Sequence, residues 1–165
     1  MRLGRREEAH ELLDFFLSDR RPRVWNQWPE ISWRDPRSPG HLGDVPHSWI
    51  GAEYVLAVLG MLAYESPDGS LVLAAGASPA WLDGDGIAVT GLPTWWGPLG
   101  YRLRRDGPNA LRLDLAPGLR EPPGGIVVRP PLARPLASAT GDGVAGFDAR
   151  SARLRSSARS VRLSF

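Results

Sequence analysis

The chain has 165 residues and a mass of 18.0 kDa, room for one ordinary domain or two small units but not for a complete β/α barrel, which takes about 250 residues. Hydrophobic residues make up 42% and charged residues 23%, a balance that predicts a packed core and excludes a disordered chain. All 20 basic residues are arginine, the formal net charge is +2 and cysteine is absent, which excludes disulfide frameworks, thiolate metal sites and cysteine nucleophiles.

The sequence pI of 9.6 overstates the positive charge, because without lysine or cysteine few groups titrate just above neutrality. Residues 1–65 carry 8 arginines against 10 acids, and residues 66–165 carry 12 against 8. Neither part is polybasic, so no nucleic-acid partner is expected. No run approaches the roughly 18 apolar residues of a membrane span, and the charged N-terminus lacks a signal peptide's small-residue cleavage site. No membrane partner is expected either. With 19 Gly and 16 Pro, short elements with many turns are favoured over a helical bundle.

In chain order, residues 5–18 predict a helix, with Glu7 and Glu8 in the first turn and Leu12, Leu13, Phe16 and Leu17 at helical spacing. Residues 19–47 have little periodicity and are rich in Trp, Pro and Arg. They hold Trp25, Trp28, Trp33, His41 and His47, and connections this long are often functional. A second helix is predicted from Trp49 to Tyr64, capped by Ser48, with Ile50, Tyr54, Val58, Met61 and Leu62 on one face. Beyond Tyr64 come short alternating runs between turn signals. The predicted strands are 71–75, 87–90, 101–104, 111–115, 126–129, 152–155 and 160–165. Alternation in Tyr101-Arg-Leu-Arg and Leu111-Arg-Leu-Asp-Leu predicts one apolar and one arginine-bearing, solvated face.

The expected fold class is therefore α+β: a helical hairpin-like segment over residues 1–65, then an antiparallel β-sandwich over residues 66–165. Each helix carries more apolar surface than the other can cover. The expected cover is the sheet, a second copy of the chain, or a further portion of protein.

Residues 25–36, Trp-Asn-Gln-Trp-Pro-Glu-Ile-Ser-Trp-Arg-Asp-Pro, combine indoles, amides and carboxylates, a mixture that suits sugars. The C–H face of a pyranose stacks on indole, and its hydroxyls pair with side chains such as Asn26, Gln27, Glu30 and Asp35. The same residues equally suit packing, with the tryptophans holding the loop to the helices and the amides satisfying backbone groups. Asp44 and His47 precede the second helix, and Trp49 opens it. His47 there suits either a substrate hydroxyl or a supplementary cap. Glu30, Asp35, Asp44 and Glu53 supply enough carboxylates for a general acid/base pair. No metal and no cofactor is expected, since His10, His41 and His47 lack compact ligand spacing and no phosphate-loop, dinucleotide or nucleophile-elbow motif occurs. Asp83-Gly-Asp-Gly86 reads as a hairpin turn rather than a calcium loop. Leu92-Pro-Thr-Trp-Trp-Gly97 suits a second aromatic platform, a lid or core filling.

The order of helix, Trp25-Asn-Gln-Trp-Pro-Glu-Ile-Ser-Trp33, Gly43-Asp-Val-Pro-His-Ser-Trp49, second helix and terminal β-module with Ile126-Val-Val-Arg-Pro-Pro131 resembles the C-terminal end of bacterial glycoside hydrolases with an (α/α)6 barrel. Glucoamylase-like and α-L-rhamnosidase-like enzymes are the nearest of these. The resemblance implies that residues 1–65 are the tail of an α/α barrel and that the partner is an oligosaccharide or polysaccharide. It also implies Glu30 as an acidic catalytic candidate, with Trp25, Gln27, Trp28, Asp44, His47 and Trp49 binding substrate. Only the last barrel helices fit within residues 1–65, so a carboxylate from an earlier helix would be supplied from outside them. The chain is expected to be a carbohydrate-active fragment or module that does not turn over substrate alone, or else a free-standing carbohydrate-binding or protein-interaction module.

Overall fold

A computed structural model describes residues 2–31, 35 and 43–165; Trp33 and His41 lie outside the described residues. The chain divides into two compact units, Met1–Gly60 and Met61–Phe165, so the division falls inside the second helix rather than after residue 65.

In the N-terminal unit, α1 (Arg6–Ser18) carries Glu7 and Glu8 in its first turn, where the helix's partial positive end favours carboxylates. Its inner face is Ala9, His10, Leu13, Phe16 and Leu17, all half-buried, while Leu12, expected on that face, is 68% exposed. No residue of α1 is fully buried. A 3-10 turn, Arg23–Trp25, follows and closes on Asn26 in the left-handed region, a conformation asparagine tolerates better than most side chains. The second helix, α2 (Ser48–Leu62), begins where the Gly51 N–H donates to the carbonyl of His47. Trp28 is the one buried hydrophobic side chain among the described residues of this unit. Its indole packs against Tyr54 at 4.8 Å and Phe16 at 5.5 Å between ring centroids.

Helix α2 ends at Leu62, not at Tyr64 as its apolar spacing predicts, because the following residues join a sheet. The Leu62 carbonyl accepts from the Ala74 N–H and from the Tyr101 hydroxyl, and the Met61 carbonyl from the Gly76 N–H. Carbonyls that a helix end leaves without partners are thus satisfied by the sandwich's own residues.

The C-terminal unit holds ten strands: β1 (Ala63–Glu65), β2 (Leu71–Leu73), β3 (Ile87–Thr94), β4 (Gly97–Arg105), β5 (Ala110–Leu115), β6 (Ile126–Val128), β7 (Ser138–Thr140), β8 (Val144–Phe147), β9 (Ala152–Leu154) and β10 (Ser160–Ser164). One sheet has the order β1-β2-β6-β9-β8, the other β3-β4-β5-β10-β7. Every pairing is antiparallel except β2 with β6. Leu71, Leu73, Ile126, Val128 and Leu154 of the first sheet share one core with Leu99, Tyr101, Leu103, Leu111, Leu113, Val161 and Leu163 of the second. This is the expected α+β class, with a β-sandwich for its C-terminal part. Three strands were not expected from sequence: β1, β7 and β8. The Asp83–Gly86 turn leads from a 3-10 turn (Pro79–Leu82) into β3, so it connects the two sheets instead of closing a hairpin.

Alternation in β4, β5 and β10 turns leucines inward and arginines outward, as the pattern predicts. Register sets Arg112 directly between Arg104 and Arg162. Like charges in that position repel, and Asp114, 3.4 Å from Arg104, and Asp106, 3.1 Å from Arg162, offset them. Among the described residues no helix is long and apolar enough to cross a membrane.

Candidate functional site

The seven candidate residues all lie in the N-terminal unit. Two stretches of backbone position them. The Glu30 N–H donates to the Asp44 carbonyl at 2.9 Å, and the His47 N–H to the Trp28 carbonyl at 2.8 Å, so residues 28–30 and 44–47 pair in antiparallel sense. The Asp44 N–H also faces Glu30 Oε2, at 3.4 Å. Gly43 makes this approach possible: its φ is +65°, and a Cβ there would collide with the Glu30 side chain.

The pairing brings one ligand atom from each of Glu30, Asp44 and His47 within 4.8 Å of the others. Both carboxylates are exposed and the imidazole is half-buried. Residues at positions 30, 44 and 47 carry no compact sequence signature, so only the backbone pairing reveals the cluster. Donors about 2.1 Å from a zinc ion stand at most roughly 4.2 Å apart. Glu30, Asp44 and His47 each offer one atom of a kind that zinc takes. As they stand, the three groups offer several hydrogen-bond acceptors and one imidazole to a polar ligand.

The tryptophans separate by environment. Trp25 is 57% and Trp49 70% exposed, whereas Trp28 is 6% exposed and its indole N–H donates to the Phe16 carbonyl at 2.6 Å. Trp28, expected to touch substrate, is thus committed to packing: its faces meet Phe16 and Tyr54. Trp49 keeps its ring in solvent while its indole N–H reaches Glu53 Oε1, one helical turn on, at 3.3 Å. Gln27 is half-buried and its side chain lies over Gly51 of α2, while its backbone carbonyl accepts from the Arg21 N–H at 2.9 Å. Sequence reasoning missed Phe16 and Tyr54 as the partners that draw Trp28 inward, although both stand on the apolar faces of their helices.

For hydrolysis, the carboxyl groups of a retaining pair stand about 5–5.5 Å apart and those of an inverting pair about 6.5–9.5 Å. Glu30 and Asp44 each place one carboxylate oxygen within 4.8 Å of the other, closer than either separation. Neither sits in the apolar pocket a general acid uses to hold its proton.

Comparison with family models, with curated proteins and with solved structures gives no match for this chain.

Proposed function

We propose that the N-terminal unit contributes part of a glycan-binding site in a carbohydrate-active protein, similar to the C-terminal end of (α/α)-barrel glycoside hydrolases, and that this chain is not catalytic alone. One observation carries the reading. Glu30, Asp44 and His47 converge in a unit whose Trp25 and Trp49 present open indole faces. Sugar rings need both halves of that combination, a flat apolar face for their C–H groups and charged or amide acceptors for their hydroxyls. Glu30 is the acidic residue proposed to meet the sugar at its scissile end in the larger protein, with Asp44 and His47 binding hydroxyls beside it.

Titration of intrinsic tryptophan fluorescence with maltohexaose, cellohexaose and xylohexaose tests the reading. Saturable quenching or enhancement by at least one of them is expected. Trp49→Ala should then weaken that sugar on the order of tenfold, the effect of losing one stacking face. No change with any of the three would remove the reading.

A second reading, a protein-interaction module, is favoured by Leu12, Phe15, Val55 and Leu56, which stand exposed on the two helices. Surfaces of this kind mark docking sites when contiguous. Sedimentation of the full chain separates the two: a concentration-dependent dimer abolished by Leu12→Glu favours the interaction module, and a monomer that binds sugar favours the glycan site.

A further inference from the structure

The C-terminal unit carries an aromatic residue that its fold does not use. Trp95 at the tip of the β3–β4 hairpin is 80% exposed, while its neighbour Trp96 packs against the sandwich core. An exposed indole on a mobile loop would mean little. This one is held. The Trp95 N–H donates to Glu65 Oε1 at 3.2 Å, and its carbonyl accepts from Arg120 Nη2 at 2.6 Å. The Trp96 N–H donates to Thr94 Oγ1 at 3.2 Å, and the Trp96 carbonyl accepts from the Arg120 N–H at 2.8 Å. Thr94 Oγ1 in turn donates to the Gly97 carbonyl at 2.6 Å.

Every peptide group of Trp95 and Trp96 is therefore bonded, by residues from β1, from the hairpin itself and from the segment after β5. Fixing the tip in this way removes most of the ordering cost that a ligand would otherwise meet on arrival. The two side chains that hold the Trp95 backbone are a half-buried carboxylate, Glu65, and an exposed guanidinium, Arg120. Neither forms an ion pair among the described residues, so both keep hydrogen-bonding capacity to spare. Each of their bonds to the hairpin uses one oxygen or one nitrogen of the group. An exposed indole on a peptide held by one acceptor and one multiple donor offers a pyranose ring a stacking face and partners for hydroxyls that both donate and accept.

We infer that Trp95, Glu65 and Arg120, all residues of the C-terminal unit, form a sugar subsite on the β-sandwich, with the ring stacking on Trp95 and its hydroxyls bonding to Glu65 and Arg120. The choice of a sugar as ligand rests on the glycan reading of the N-terminal unit; the site itself rests on the hairpin geometry.

Fluorine NMR of the full chain labelled with 5-fluorotryptophan tests it, each resonance being assigned by a single Trp→Phe substitution. Maltohexaose, cellohexaose and xylohexaose are the probes. The subsite predicts a saturable shift of the Trp95 resonance with at least one of them, and Trp95→Ala should weaken that binding event on the order of tenfold. Because the ring is exposed, this substitution should leave the unfolding midpoint unchanged. A shift at Trp25 or Trp49 with Trp95 silent overturns the subsite and leaves the N-terminal reading standing. A shift at Trp95 alone supports the subsite and counts against the N-terminal site. Silence at all three overturns both.

Discussion

The two units handle their aromatic and apolar residues in opposite ways. In the sandwich, leucines from both sheets meet in one core, and the outer face of the second sheet is left to arginines and aspartates. In the N-terminal unit a single tryptophan is buried among the described residues, α1 buries nothing fully, and Trp25 and Trp49 face solvent. Burial of apolar surface is the main stabilising term in folding. The sandwich therefore has the means to fold by itself, while the N-terminal unit keeps much of its apolar surface available for something else. Exposure of this kind is what a binding surface looks like from the side of stability.

Three variants sharpen the contrast. Leu113→Ala should have the largest effect, about 3–4 kcal/mol, because it leaves a cavity between two sheets that cannot collapse onto it. Denaturant unfolding followed by the strand signal checks this, and the whole sandwich should move. Trp28→Ala should cost up to about 3 kcal/mol but locally: Phe16 and Tyr54 lose their shared partner and the Phe16 carbonyl keeps the Asp19 N–H but loses the indole donor. The helical signal should then melt earlier than the strand signal, whose midpoint stays put. Coincident transitions in that variant would break the distinction between the units.

Tyr101→Phe should cost less, about 1 kcal/mol, since the Leu62 carbonyl keeps the Ala74 N–H when the hydroxyl goes. The same residue sets an alkaline limit. Burial raises the Tyr101 hydroxyl above its ordinary value, so the proton is held more tightly in the folded chain than in the unfolded one. This contribution is fully present below the unfolded value of about 10 and is lost as pH rises above it. Phenolate absorbance should show one tyrosine ionising only together with loss of the strand signal, and Tyr101→Phe should remove that coupling.

Much of the sandwich was legible in sequence because period-2 alternation is local. Tyr101-Arg-Leu-Arg declares which face is buried without reference to any other residue. The strands that escaped are those whose sequence lacks this signal. Ala63–Glu65 continues the apolar spacing of α2 and becomes a strand only through pairing with Leu71–Leu73. Ser138–Thr140 is small and polar, and its place is set by β10. The site was legible in composition but not in arrangement. Trp25 and Trp28 read alike within one motif, and only Phe16 and Tyr54, distant in sequence, decide that one is packing and the other is surface. Glu30 meets Asp44 and His47 through backbone bonds across more than a dozen positions, a long-range pairing that no local pattern encodes.

Amide hydrogen exchange on the full chain, alone and then with saturating maltohexaose, cellohexaose or xylohexaose, bears most directly on the central claim that the loosely packed unit is the binding unit. Strands β4, β5 and β10 should be strongly protected throughout. Residues 24–30 and 43–53 should exchange readily in the free chain and gain protection with at least one of the sugars. Equal protection of both units in the free chain, or no gain over those two segments with any sugar, would contradict it.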